Sequence, residues 1–185
     1  MCIRDRIKSE EGRDIKLELD RKTEELIRHE LAITKIGVQG EEIVPNAVEK
    51  MRWVVDPIDG TANYFRGLNQ CCVSIALMNG NKSLIGIIYD FNSDECYEAV
   101  KDHGAKLNDH VISVSSVDLK NKATLTTGFP ASESVTSSME FLDSLKGWKK
   151  IRMFGSAALS CAYVASGKCD FCLLYTSPSP RDLST

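Results

Sequence analysis

The chain has 185 residues, of which 43% are hydrophobic and 26% are charged, with 23 lysines and arginines against 26 aspartates and glutamates. This composition excludes a disordered chain, which would be poorer in apolar residues, and its 12 glycines and 5 prolines exclude a collagen-like one. The net charge of −3 speaks against a basic surface for a nucleic-acid polymer, and no apolar run reaches the roughly 18–20 residues of a membrane helix. Seven cysteines without a signal-peptide pattern indicate a reduced, cytoplasmic setting.

The two ends of the chain differ in character from the rest. Residues 1–6 read MCIRDR and residues 172–185 read CLLYTSPSPRDLST. Allowed codons for MCIRDR (ATG TGT ATA AGA GAC AG) and for CLLYTS (TGT CTC TTA TAC ACA TCT) are reverse complements over their shared stretch, and they resemble the transposase end of a sequencing adapter. We therefore expect 1–6 and 172–185 to be adapter-derived, and 7–171 to be the N-terminal and central part of a protein truncated at both ends.

Hydrophobic periodicity and turn residues predict strands that run between well-separated helices. In chain order, the pattern predicts a helix over 18–35, strands over 53–55, 73–78, 84–89, 95–100, 111–114 and 123–127, a helix over 132–146 with an apolar stripe of Met139, Leu142 and Leu145, a strand over 151–154 and a helix over 158–166. Turns are predicted at 79–81 and 108–109. This arrangement favours an α/β class of fold, of the layered α+β kind.

The strongest chemical signal is the sequence DPIDGT at residues 56–61, directly after the strand predicted at 53–55. Pro57 has no N–H to donate to a strand ladder, so the strand is predicted to end at Asp56. The carboxylates of Asp56 and Asp59 can converge on one point and suit a hard cation such as Mg²⁺. Gly60 and Thr61 can then begin a helix whose backbone N–H groups hold a phosphate. The alternative is an acidic surface turn in which an aspartate caps a helix.

Three further segments carry groups that could join this site. The run Gly40-Glu41-Glu42 offers a carboxylate, or is a solvated acidic loop. Asp20 lies near the start of the first predicted helix, where it could serve the chemistry or cap the helix. The corner Gly155-Ser156-Ala157 could bring its backbone close to a ligand, or could merely permit close packing.

Four features follow one another along the chain: an acid on a helix, then GEE, WVVDPIDGTAN and GSAALSCAYVASGKCD. In this order they resemble the inositol monophosphatase family of Mg²⁺-dependent, Li⁺-sensitive phosphatases, and the resemblance covers nearly all of residues 14–171. The resemblance implies the layered sandwich of that family, two or three Mg²⁺ ions, a small phosphorylated metabolite as substrate, and a homodimer. Inositol monophosphate and a 3′(2′),5′-bisphosphate nucleotide lead the substrates it implies. Fructose-1,6-bisphosphate and histidinol phosphate stay open.

The resemblance also implies a role for each residue that matches the motifs of the family. The implied metal ligands are Glu41, Asp56, the backbone carbonyl of Ile58, and Asp59, with Asp56 bridging two ions. The implied contacts to phosphate and substrate are Asp59, Gly60, Thr61, Gly155, Ser156 and Ala157. The hydroxyl of Thr61 and the carboxylate of Asp20 match the catalytic couple that orients the attacking water.

The sequence departs from the family at its C-terminal end. The family has a further metal-binding aspartate in a Trp-Asp motif and a glutamate before it, whereas the adapter-like segment follows Phe171 here. We therefore expect the parent protein to be a Mg²⁺-dependent phosphoric monoester hydrolase and the 185-residue chain itself to be inactive. The alternative is a non-catalytic protein of the same fold that binds phosphate or metal, and the intact set of Asp20, Glu41, Asp56, Asp59 and Thr61 argues against it.

Overall fold

The computed structural model describes residues 7–11, 14–41, 49–128 and 135–174. An antiparallel hairpin of β1 (Ile7–Glu11) and β2 (Asp14–Leu17) leads directly into α1 (Glu18–Leu31). A single 3₁₀ turn, Ala32–Thr34, follows α1, and Lys35 ends it in the left-handed region at φ +57°. The helix predicted over 18–35 is therefore an α-helix whose last residues tighten into a 3₁₀ turn.

A seven-stranded sheet forms the larger layer, and six of its strands follow one another in an antiparallel meander. Its strands, in spatial order, are β3 (Gly37–Gly40), β4 (Met51–Asp59), β5 (Cys72–Asn79), β6 (Lys82–Asp90), β7 (Glu95–Val100), β8 (Gly104–Leu107) and β9 (His110–Val111). Only β3 runs parallel to its neighbour, β4. The strand predicted over 111–114 is shorter than expected, since β9 ends at Val111.

The prediction that the strand ends at Asp56 is wrong, because β4 continues to Asp59. Asp56 pairs with Ser74 of β5, and Asp59 pairs with Cys72, so three steps along β4 oppose two steps along β5. This extra residue is a β-bulge, which leaves Pro57 out of the ladder that it cannot join. The bulge re-aims the end of β4, and this end carries the DPIDGT motif.

A second, three-stranded parallel sheet places β10 (Thr124–Thr127) between β11 (Lys150–Arg152) and β12 (Phe171–Leu173). The helix α3 (Val135–Ser144) packs on it through Phe141, and the following Leu145 joins this contact with Leu125. The predicted stripe is therefore only partly right, because Met139 and Leu142 are more than half exposed. Phe141 and Leu145 lie four residues apart and share the face that meets the sheet. The first residues of the helix predicted over 132–146 lie outside the described residues.

The helix α4 (Ala157–Ala165) contacts strands of both sheets and lies between them. Its side chains Leu159 and Ala162 are buried, which suits a helix that is apolar on more than one side. The layered α+β architecture is thereby confirmed, with α4 as the layer that joins the sheets. No helix of the described part of the chain is long and apolar enough to cross a membrane.

Candidate metal and phosphate site

The bulged end of β4 and the short helix α2 (Thr61–Arg66) form the centre of the candidate site. Gly60 joins them at φ +90°, and a Cβ there would lie 2.7 Å from the carbonyl oxygen of Gln70. Only glycine fits both this backbone conformation and this close approach. The hydroxyl of Thr61 donates a hydrogen bond of 2.9 Å to the carbonyl of Ile58. The loop therefore turns back tightly on the strand that precedes it.

Asp56 is held in a position that disfavours its own charge. Its Oδ1 is buried and has no hydrogen-bond partner among the described residues. Burial, and then the negative charges of Glu41 and Asp59, raise the pKa of Asp56 to about 8, and Asp20 adds a smaller contribution. A hydrogen bond from the backbone of Ile58 opposes this shift. The four predicted carboxylates span 39 residues of sequence, from Asp20 to Asp59. The fold brings them into one electrostatic neighbourhood.

Asp59 has a different environment from Asp56, because it joins β4 to the corner at 155–157. Its Oδ2 accepts hydrogen bonds of 2.6 Å from the hydroxyl of Ser156 and from the backbone N–H of Ala158. Ser156 is the N-cap of α4, and its oxygen accepts a bond from the N–H of Leu159 at 3.2 Å. A carboxylate at a helix N-terminus is favoured by the unsatisfied N–H groups there. Gly155 and Ala157 are exposed, so the backbone of the corner is open to a ligand.

The position of Glu41 is set by α1 through a buried ion pair. Arg28 donates to the fully buried Glu24 at 2.7 Å and to the carbonyl of Val38, also at 2.7 Å. The Glu24 carboxylate occupies the space beside Gly40, where a Cβ would collide with it. The end of β3 is therefore fixed against α1, and Glu41 leaves it at a defined place. Glu41 is exposed, and Glu42 lies outside the described residues.

Asp20 lies in the first turn of α1. From the sequence, it could serve the chemistry or cap the helix. The structure places it in the interior, since only 4% of the residue is exposed. Its charge acts on Asp56, so it faces the acidic end of β4. The direct partner of the Thr61 hydroxyl is the carbonyl of Ile58, and the predicted couple of Thr61 with Asp20 stays a prediction.

Three residues beside the site were missed in the sequence analysis. Asn63 donates to backbone carbonyls on two other segments, Glu24 supports the end of β3, and Cys72 places its sulfur 3.9 Å from Oδ2 of Asp59. The spacing of Glu24 and Arg28, four residues apart on a helix, was a usable signal for the ion pair. Nothing in the local pattern marks the side chains of Asn63 and Cys72, since their partners lie on distant segments.

Comparisons with known proteins identify the family of the chain. The family model described as "Inositol monophosphatase family" matches residues 3–183. The chain belongs to the inositol monophosphatase family. It is 36% identical over 162 residues to the Nus factor SuhB of Xylella fastidiosa, and 33% identical over 162 residues to an inositol-1-monophosphatase of Rhizobium meliloti. These alignments cover 85% and 82% of this chain, respectively, and 59% of each relative, so the chain spans about three fifths of their length.

A solved structure supports the same assignment at the level of the fold. The extragenic suppressor protein suhB from Bartonella henselae superimposes with a TM-score of 0.83 at 34% identity, covering 90% of this chain and 67% of that one. An identity at this level, together with a layered architecture common to both, confirms the family fold that the resemblance implied. The family match covers residues 56–61, so DPIDGT and the bulged end of β4 lie within the part of the chain that matches the family.

The residues present fit a metal ion, because they provide oxygen donors and negative charge for a hard cation. Asp56 has a buried oxygen without a hydrogen-bond partner among the described residues, and three further carboxylates, Glu41, Asp59 and Asp20, act on its charge. All the candidate ligands are oxygens, the donors that Mg²⁺ prefers. In the part of the chain that the structure describes, no three His, Cys, Asp or Glu side chains already converge closely enough to enclose an ion. Binding would therefore have to draw these carboxylates together.

Proposed function

We propose that the protein to which this chain belongs hydrolyses a phosphate monoester of a small metabolite with the help of Mg²⁺. The observation that carries the proposal is the environment of Asp56. Its buried Oδ1 has no hydrogen-bond partner among the described residues, and the nearby negative charges of Glu41 and Asp59 disfavour its ionised form. A cation would remove this conflict, whereas a surface turn would have no reason to build it. Gly60 and Thr61, the pair proposed to contact the phosphate, follow directly in the chain.

The proposed ligands are Glu41, Asp56, the carbonyl of Ile58 and Asp59, for two or three Mg²⁺ ions. When bound, Mg²⁺ would supply charge neutralisation of the ester and a more acidic water. Asp56 and Asp59 would then hold the site in place, and the backbone N–H groups at Gly60 and Thr61 would orient the phosphate. Thr61 would orient the attacking water with Asp20, which requires its hydroxyl hydrogen to leave the carbonyl of Ile58.

Inositol monophosphate and a 3′(2′),5′-bisphosphate nucleotide are the proposed substrates. The test is phosphate release from both, and from fructose-1,6-bisphosphate and histidinol phosphate, by a protein that includes the C-terminal remainder of the family fold. We expect release from one of the first two with Mg²⁺ present, and its loss by about a hundredfold or more in Asp59→Asn. Asp102→Asn, an exposed acid, is the control and should keep full activity. Release from none of the four substrates would refute the proposal.

A second candidate is a non-catalytic protein of the same fold that binds phosphate or metal. The observation that favours it is the name of a relative, since the protein of Xylella fastidiosa is a Nus factor. Calorimetry separates the two candidates: binding of a phosphorylated ligand without any turnover would support the non-catalytic one. For the parent protein, we also propose a homodimer and a cytoplasmic location.

We further propose that residues 1–6 and 172–185 are adapter-derived and that the 185-residue chain is inactive by itself. The paired reverse complements support the first part, and the lack of a Trp-Asp motif supports the second. The source nucleic acid should be read again across the codon for Phe171 with a library made without transposase adapters. A frame that continues into a glutamate and a Trp-Asp motif is the expected result. A frame that returns CLLYTSPSPRDLST and a stop would overturn the proposal and favour the non-catalytic candidate.

A further inference from the structure

Asn63 connects the loop that carries the metal and phosphate residues to the corner at 155–157. It lies in the first turn of α2, and its side-chain nitrogen donates to the carbonyl of Gln70 at 2.7 Å and to the carbonyl of Phe154 at 2.6 Å. An amide nitrogen has two hydrogens, so both are used. Because both acceptors are carbonyls, only the nitrogen can face them. Phe154 directly precedes Gly155, so the second bond holds the corner from its N-terminal side.

The packing around these two bonds leaves little room for adjustment. A Cβ at Gly155 would lie 2.8 Å from the side-chain nitrogen of Asn63. A Cβ at Gly60 would lie 2.7 Å from the oxygen of Gln70 and 3.3 Å from the oxygen of Gly155. The backbone at Gly60, the segment at Gln70 and the corner at 155–157 are therefore packed closely together, and Asn63 is hydrogen-bonded to the last two of them.

The corner is held at two points, and they differ in kind. On its C-terminal side, Oδ2 of Asp59 accepts from Ser156 and from the N–H of Ala158. Asp59 is also a proposed metal ligand, so its substitution would change ligation and position together. Asn63 is uncharged and is not a proposed ligand. Its substitution can therefore separate the position of the corner from the binding of metal.

We propose that Asn63 is a positioning residue that holds the corner at 155–157 at a fixed distance from Gly60 and Thr61, so that one phosphate monoester can contact both. The ligand in this statement rests on the proposed function, whereas the connection itself rests on the two hydrogen bonds. Without Asn63, the corner must be ordered when the substrate binds, and this cost weakens the affinity for the substrate. Inorganic phosphate, which lacks the alcohol portion that the corner would contact, should be affected much less.

Two variants of Asn63 and one matched control test the proposal in the full 185-residue chain. Asn63→Asp keeps the shape but loses both N–H donors, and Asn63→Ala loses them without adding charge. The control is Asn92→Asp, because Asn92 donates to the carbonyls of Asn69 at 3.0 Å and Cys71 at 3.4 Å. It therefore has the same chemistry and holds the same segment, but it does not reach the corner. The measurements are amide hydrogen exchange over 154–160 and calorimetric binding of myo-inositol 1-phosphate and inorganic phosphate with Mg²⁺.

We expect exchange over 154–160 to rise by about tenfold in both Asn63 variants and to stay unchanged in Asn92→Asp. The affinity for myo-inositol 1-phosphate should fall by about tenfold, and that for inorganic phosphate by less than about twofold. If Asn63→Asp does not fold, Asn63→Ala decides. Unchanged exchange at the corner, an equal rise in the control, or an equal loss of both ligands would overturn the proposal. If the unmodified chain binds neither ligand, this supports the proposal that the 185-residue chain is inactive by itself and does not bear on the activity proposed for the parent protein, and the exchange measurement alone decides the role of Asn63.

Discussion

At the scale of single residues, the charge of Asp56 should make the stability of the metal-free chain depend on pH. Its pKa rises from an ordinary 3.8 to about 8 because of burial and then of Glu41 and Asp59. Between these values the folded chain holds a proton that the unfolded chain has lost, so stability is highest below the lower value and falls as pH rises through the upper one. Asp56→Asn cannot ionise and should escape this loss.

The expected result is that Asp56→Asn has a Tm close to that of the unmodified chain at about pH 4.5 and a Tm higher by about 8 °C at about pH 8.5, in a chelator. Thermal unfolding followed by circular dichroism over this pH range measures it. Asp102→Asn serves as the control, because Asp102 is exposed and lies outside the site. If the difference in Tm between Asp56→Asn and the unmodified chain stayed constant across the pH range, this would contradict the burial of Asp56.

The candidate site residues could be named from the sequence because DPIDGT places them in one short motif, and the resemblance supplied Asp20 and Glu41. What could not be read was the environment of each one. Asp56 and Asp59 look alike in the motif, yet one has a buried oxygen without a partner among the described residues and the other accepts two bonds from α4. The partner of Asn63 at Phe154 lies 91 residues away and leaves no periodic signal. Such differences arise only when distant segments meet.

At the scale of elements, the space beside each glycine predicts opposite effects for two substitutions, Gly40→Ala in β3, which packs on α1, and Gly86→Ala in β6. In Gly40→Ala, the new Cβ would collide with the buried carboxylate of Glu24, which Arg28 holds in place. We expect a loss of about 2–3 kcal/mol in the free energy of unfolding, the cost of overpacking a fixed site. Denaturant unfolding measures this change.

Gly86→Ala is the matched substitution in β6 and should behave in the opposite way. A Cβ at Gly86 meets nothing within 4 Å, and the residue lines an apolar cavity of about 220 Å³ between the sheet and α4. Alanine should therefore be neutral or add about 0.5 kcal/mol, because it restricts the unfolded chain. Equal destabilisation by the two substitutions would show that the position of Glu24 does not constrain β3.

Among the elements, local signals predicted strands and turns of the meander, but they gave no prediction of which distant strands pair. The turns at 79–81 and 108–109 contain residues suited to positive φ, and Asn108 and Asp109 do adopt φ of +46° and +67°. By contrast, β3 is only the four residues GVQG, which have no strand pattern of their own. Its pairing with β4 depends on the parallel neighbour and on α1. The bulge at Pro57 was missed because Pro was taken to end the strand, whereas a register shift can accommodate it.

At the scale of the whole molecule, Lys168 links the segment after α4 to the larger sheet. Its ammonium group bonds both carboxylate oxygens of Glu95, at 2.6 and 2.7 Å, and the hydroxyl of Tyr97 at 2.7 Å. It also lies over the rings of Tyr97 and Tyr163, 5.4 and 5.3 Å from their centroids. Although burial opposes it, hydrogen bonding to Lys168 and Tyr97 holds the pKa of Glu95 below its usual value. The segment between α4 and β12 is thus held against the larger sheet by a charged contact.

Lys168→Met should therefore lower the Tm by about 3 °C at neutral pH, a modest effect because Lys168 and Glu95 are both partly exposed. The lowered pKa of Glu95 means that its contribution is present above the ordinary value of 4.5 and is lost as pH falls below it, so the difference between the two proteins should shrink in acid. The control is Lys101→Met, since Lys101 is exposed and lies 3.9 Å from the exposed Asp102 within a surface turn. Thermal unfolding at several pH values measures both. If the two lysine variants lost the same stability, or if the effect of Lys168→Met did not change in acid, the contact would be an ordinary surface ion pair that does not hold the segment after α4 against the larger sheet.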